Sequence, residues 1–68
     1  MYQRIAADIR AQIVAGVLKP GDKLPSTREL CAQYEVSTTV VRLAVLVLRS
    51  EGLVEGISGK GVYVLPKP

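Results

Sequence analysis

Apolar residues recur along this chain at two spacings, and the change from one to the other divides it. From Tyr2 to Ala15 the isoleucines at 5, 9 and 13 fall every four residues while Arg4, Asp8, Arg10 and Gln12 take other faces, which predicts an amphipathic helix ended by Gly16. A second helix is predicted to start just after Pro25. Ser26-Thr27-Arg28-Glu29 has the form of a capping box, with Leu30, Cys31 and Tyr34 as the apolar face and a stop near Tyr34. Between Ser37, a good N-cap, and Gly52, a good left-handed terminator, Val41, Ala44, Val45 and Leu48 share one stripe. Val40-Val41 and Val45 to Leu48 would also suit a buried strand, but a capped length of about a dozen residues exceeds a typical strand and decides for a third helix. After Gly52 the pattern shortens. Leu53-Val54-Glu55 and Val62-Tyr63-Val64-Leu65 are β-prone and flank Gly56 to Gly61, which predicts a hairpin whose tip carries Ser58, Gly59 and Lys60.

The connectors sharpen this outline. Leu18 to Pro25 holds two prolines and a glycine, so it is a turn-rich link with at most a short extended piece around Lys23 and Leu24. Glu35-Val36-Ser37 joins the second and third helices so tightly, with an apolar residue inside the turn, that the pair forms a helix-turn-helix. The glycine usual in such a turn is missing, and Glu35 stands at or near its place, mildly strained if that position needs positive φ. Pro66-Lys67-Pro68 cannot continue a central strand and reads as the start of an extended linker. The expected domain is therefore residues 1–65, mainly α with a small β-hairpin: three helices plus a wing.

Composition narrows the function. A chain of 68 residues makes one small domain with no room for a deep catalytic cavity, so it should bind a surface. Nine Lys and Arg against six Asp and Glu leave a charge of +3, which favours an anionic partner without selecting one. With no histidine, one cysteine and no clustered carboxylates, no acid-base, nucleophilic or ordinary zinc constellation can be assembled; an enzyme is not expected, nor a metal or cofactor. Cys31 cannot form an intramolecular disulfide, which fits a reducing cytoplasm, and it reads as core filler. The longest apolar run, Leu43 to Leu48, is too short to cross a bilayer and no signal peptide is visible, so a soluble cytoplasmic protein without a membrane partner is expected.

The candidate chemistry lies off the buried stripe of the third helix. Ser37, Thr38, Thr39 and Arg42 sit near its positive end, where hydroxyls, free amides and a guanidinium suit phosphates and base edges. Arg28, near the start of the second helix, opposes the helix dipole and is not there for helix stability; DNA contact is the reading preferred over an ion pair with Glu29 or Glu35. Lys60 at a glycine-rich tip can approach a nucleic acid closely. Arg49 is left open between solvent and the phosphate rim; Lys19 and Lys23 are solvated by default, with phosphate contact open. Tyr2, Tyr34 and Tyr63 read as core or rim packing. Leu43 and Leu46 point away from the core and Val47 flanks it, either as tolerated surface residues or as a contact surface for another domain or subunit.

The ordered set Pro20-Gly21-Asp22-Lys23-Leu24-Pro25-Ser26-Thr27-Arg28-Glu29-Leu30, Val36-Ser37, Val41-Arg42, Leu48, Glu51-Gly52-Leu53-Val54 and Gly59-Lys60-Gly61-Val62-Tyr63-Val64 resembles the N-terminal winged helix-turn-helix domain of GntR-type bacterial transcription regulators. The resemblance runs from Tyr2 to about Leu65. It implies a dimeric regulator, expected to be a repressor, that binds a palindromic operator in double-stranded DNA. Residues 38–51 would lie in the major groove and the wing, residues 55–62, in the adjacent minor groove. A second, C-terminal domain that dimerises and binds a small effector belongs to the same pattern and is not in this chain. By the same resemblance the DNA-binding residues are Arg28 in Pro-Ser-x-Arg-x-Leu, Ser37, Thr38, Thr39 and Arg42, with Ser58, Gly59 and Lys60 at the wing tip. Two departures matter. Many members carry arginine where this chain has Thr38, and the wing positions Gly56, Ile57 and Ser58 are often basic, so a strong guanine contact should be lost or replaced and Lys60 left as the wing's main cation. The alternative is a winged-helix protein-interaction module using Leu43, Leu46 and Val47.

Overall fold

In the computed structural model, which describes residues 1–66, the spacing of isoleucines produces the first helix as expected. α1 (Tyr2–Val14) buries Ile5, Ala6, Ile9 and Ile13 on one face, and the chain reverses through Gly16 at φ +81°. α2 (Thr27–Tyr34) begins at a complete capping box. The Ser26 hydroxyl accepts from the Glu29 amide at 3.1 Å, and the Ser26 amide donates to the Glu29 carboxylate at 2.9 Å. Both bonds satisfy amides that the first turn of a helix leaves without partners.

α2 stops at Glu35, which adopts φ 55°, ψ 50° and is the one non-glycine residue with positive φ among the described residues. A side chain in that region costs about 1–2 kcal/mol. The strain is the consequence of the missing glycine, and it sets the turn: α2 and α3 (Thr38–Ser50) meet at 112°, within the roughly 90–120° of a helix-turn-helix. Ser37 caps α3 as expected, its hydroxyl accepting from the Val40 amide at 3.4 Å, and Gly52 turns the chain away at φ +74°. Val41, Ala44 and Leu48 are all fully buried, and α3 packs on α1, α2 and the hairpin together. Val45, expected on the buried stripe, is half-buried at the edge facing the wing.

β1 (Val54–Ile57) and β2 (Gly61–Val64) form an antiparallel hairpin in the register Val54↔Val64, Glu55↔Tyr63, Gly56↔Val62, Ile57↔Gly61. The first strand runs two residues further toward the tip than expected, because Gly56 is accommodated in the ladder opposite Val62. The loop then shrinks to Ser58-Gly59-Lys60, closed by the Lys60 amide on the Ile57 carbonyl at 3.0 Å. The connector adds a third edge. Lys23 bridges Tyr63, the Leu24 amide donates to the Val62 carbonyl at 2.8 Å, and the Val64 amide donates to the Asp22 carbonyl at 2.9 Å. This lacing buries Leu24 with Leu30, Val54 and Val64 and fixes the wing to the start of α2.

Cys31 departs from its expected place. It is half-buried, because α2 is too short to bury more than Leu30 fully and Cys31 lies at the rim facing α3, its Sγ 3.8 Å from the Thr38 hydroxyl. Tyr2, Tyr34 and Tyr63 are half-buried, in keeping with rim packing, and the Tyr34 hydroxyl donates to Asp8 at 3.0 Å. Arg10 forms a two-pronged pair with Glu51 at 2.8 and 2.7 Å, tying α1 to the end of α3. Among the described residues no single helix is long and apolar enough to cross a membrane. Lys67 and Pro68 of the expected linker lie outside the described residues.

Candidate nucleic-acid interface

The burial of Val41, Ala44 and Leu48 against the rest of the fold leaves the opposite edge of α3 to solvent. On that edge Thr39, Arg42, Leu46 and Arg49 follow one another at spacings of three and four, hence along one side of the helix. Ser37, Thr38, Thr39 and Arg42 are all exposed. Ser37 uses an oxygen lone pair for its cap but keeps its proton to donate. Thr38 leans back toward α2 and Cys31. Arg28, also exposed, projects from the first turn of α2.

Two adjoining clefts show which of these residues are brought together. One, of about 370 Å³, is lined by Thr27, Arg42, Val45, Leu46, Arg49 and Val62. The other, of about 280 Å³, shares Thr27, Val45 and Val62 and adds Ser26, Lys23 and Lys60. Arg42, Arg49, Lys23 and Lys60 therefore border one continuous depression between α2, α3 and the wing, with Arg28 beside Thr27 at its edge. Ser58 and Gly59 are exposed at the tip and do not line it; Ser37, Thr38 and Thr39 lie one turn before Arg42.

None of these cations forms an ion pair among the described residues, although the charge of Lys23 reaches the Glu29 carboxyl. The one ion pair among the described residues is Arg10 with Glu51, so Arg28 pairs with neither Glu29 nor Glu35. Glu29 is engaged instead with Ser26, whose amide and hydroxyl hold its carboxyl below the usual range. A larger open hollow of about 730 Å³ beside α1 and the end of α2 mixes Arg4 with Asp8 and Glu35 and favours no anion. Sequence reasoning undervalued two members of the basic depression. Lys23 lies across Gly61, its Cε 2.7 Å from where a Cβ would stand, and Arg49 reaches over Gly56. The nearest signal in the sequence is glycine opposite a long cation, legible only once the strand register is known.

Three packed helices, a 112° helix-turn-helix and a hairpin flanking an exposed basic helix edge define a winged-helix DNA-binding domain. The chain belongs to the family described as bacterial regulatory proteins, gntR family, whose pattern matches residues 1–64. It is 45% identical over 65 residues to the Exu regulon transcriptional regulator of Escherichia coli (strain K12), covering 96% of this chain and 25% of that one. It is 44% identical over 64 residues to the mannosyl-D-glycerate transport/metabolism system repressor MngR of the same organism, covering 94% of this chain and 27% of that one. The DNA-binding domain of AraR in complex with operator ORX1 superposes with a TM-score of 0.90 at 33% identity, over 93% of this chain and 76% of that one. The chain spans about a quarter of the length of each of these two regulators. Membership in this family of DNA-binding regulators, which are not enzymes, carries the non-catalytic reading, and the protein-interaction alternative through Leu43, Leu46 and Val47 is not favoured.

Proposed function

We propose that residues 1–65 are the operator-reading domain of a cytoplasmic transcription regulator, a repressor, with α3 in the major groove and the wing in the adjacent minor groove. The observation that carries this is the gathering of exposed cations from three separate elements around one depression, none of them paired with a carboxylate among the described residues. Arg42, one turn into α3, reads base edges; Ser37, Thr38 and Thr39 supply hydroxyls to phosphates and bases at the same end of the helix. Arg28 meets the strand beside the start of α2, and Ser58, Gly59 and Lys60 enter the minor groove. The chain from Pro66 onward begins the linker to a C-terminal domain that dimerises and binds a small-molecule effector; the relatives' greater length supports this. A homodimer would read a palindrome, and a single domain would bind one half-site weakly.

Selection of bound duplexes from a random pool with the 68-residue chain tests the reading. Enrichment of a short half-site is the expected result. A recovered pool as random as the input, at low salt, would overturn it.

A further inference from the structure

We propose that Arg49 is a phosphate contact at the mouth of the cleft between α3 and the wing, where one sugar–phosphate strand of the duplex is seated. The inference rests on the groove-and-wing reading above and extends it to a residue outside the expected DNA-binding set. The major groove and the minor groove beside it are separated by a single sugar–phosphate strand. A domain that places a helix in one and a hairpin in the other must leave a slot for that strand. The 370 Å³ cleft between α3 and β2 is the slot. Two cations stand on its α3 wall: Arg42 and, two turns on, Arg49. Between them Leu46, 57% exposed, forms with Val45 and Val62 an apolar floor suited to deoxyribose C–H groups.

The pose of Arg49 is what singles it out. Its Nη1 and Cζ lie 3.8 and 3.9 Å from where a Cβ on Gly56 would stand, so the guanidinium extends from the helix across to β1. No carboxylate lies within 4.0 Å of it among the described residues. A basic residue in the last turn of a helix is favoured by the helix dipole, but that preference does not call for a side chain laid over the hairpin. The hairpin needs the charge: residues 54–64 contain one anion, Glu55, and one cation, Lys60, and are neutral in sum. Arg49 makes the wing side of the slot positive, facing a phosphate.

Phosphate ethylation interference on a duplex recovered from the random-pool selection tests this position by position. The wild type is expected to be blocked by ethylation at a set of phosphates. In Arg49→Gln one of those positions should drop out with the preferred bases unchanged, affinity should fall about three- to tenfold at low salt, and the slope of log affinity against log salt should shrink by about 1. Gly56→Glu, which sets a carboxylate under the guanidinium, should lose the same phosphate; Arg49→Lys should recover the salt slope. If Arg49→Gln binds the duplex with the wild-type phosphate pattern and slope, Arg49 is not the contact, while the operator reading stands. If the wild type enriches no duplex at all, the operator reading fails first and this inference with it.

Discussion

At the scale of single residues, the interface is defined by what its side chains can and cannot donate. Thr38 has one hydroxyl and a methyl, so it cannot present the two-donor fork that an arginine offers to guanine. Its hydroxyl oxygen accepts weakly from the Cys31 thiol at 3.8 Å and keeps its own proton to donate, while the residue stays exposed. Thr38→Arg should therefore introduce a new guanine preference at one half-site position, worth about 1–3 kcal/mol of discrimination, which selected-site sequencing of wild type and variant would reveal. Identical base preferences would show that residue 38 does not face the groove. Arg28 stands out in the sequence because it opposes the dipole in the first turn of α2, and Arg42 because it projects from the first turns of α3; both emerge exposed. Lys23 and Arg49 stand out less, because what distinguishes them is their placement over glycines of the hairpin, far away in sequence. Glu35 was legible as a strained position, since a turn of that length calls for positive φ whatever residue occupies it.

Elements were legible where their determinants are local. The capping box, the Ser37 cap and the glycine stops each involve residues within four positions of one another, and all three helices begin and end within a residue or so of expectation. The ties between elements were not, as they join residues far apart in the chain: Lys23 with Tyr63, and Arg10 with Glu51, 41 positions away. The Arg10–Glu51 tie, with the capping box and the Tyr34–Asp8 bond, shapes the pH response. Hydrogen bonding to Arg10 lowers the Glu51 carboxyl from its ordinary 4.5, and the Ser26 amide and hydroxyl lower that of Glu29 from the same value. A depressed carboxylate pKa adds stability above its unfolded value and loses it as pH falls through the folded one. Tyr34 shifts the other way, raised from 10.0 first by burial and then by its bond to Asp8, so its share is present below 10.0 and lost above. The melting temperature should hence fall below about pH 4.5 and again above about pH 10, and Glu51→Gln should flatten the acid limb. Thermal unfolding followed by circular dichroism across the pH range checks this; an acid limb unchanged in Glu51→Gln would show the Arg10 tie to be inconsequential. Both carboxylates are exposed, and the effect is correspondingly modest.

Over the whole molecule, α3 is shared by the core and the interface. Its one face, Val41, Ala44 and Leu48, holds α1, α2 and the hairpin together, and its other edge carries Thr39, Arg42 and Arg49. The proposed contact residues can thus be changed with little effect on folding, while the small core fixes the helix and the wing relative to each other. The net charge of +3 is unevenly spread: Arg10 and Glu51 neutralise each other in their ion pair, while Arg42, Arg49, Lys23 and Lys60 border the depression against the single carboxylate of Glu29, held by Ser26. The most direct measurement is the affinity of the domain for a random-sequence duplex over a series of salt concentrations, for the wild type and for a combined Arg28→Gln, Arg42→Gln, Lys60→Gln variant. Log affinity of the wild type should fall steeply and linearly with log salt, and the variant should lose about 0.9 of slope for each phosphate contact removed. An affinity indifferent to salt, or the same slope in both proteins, would contradict the account.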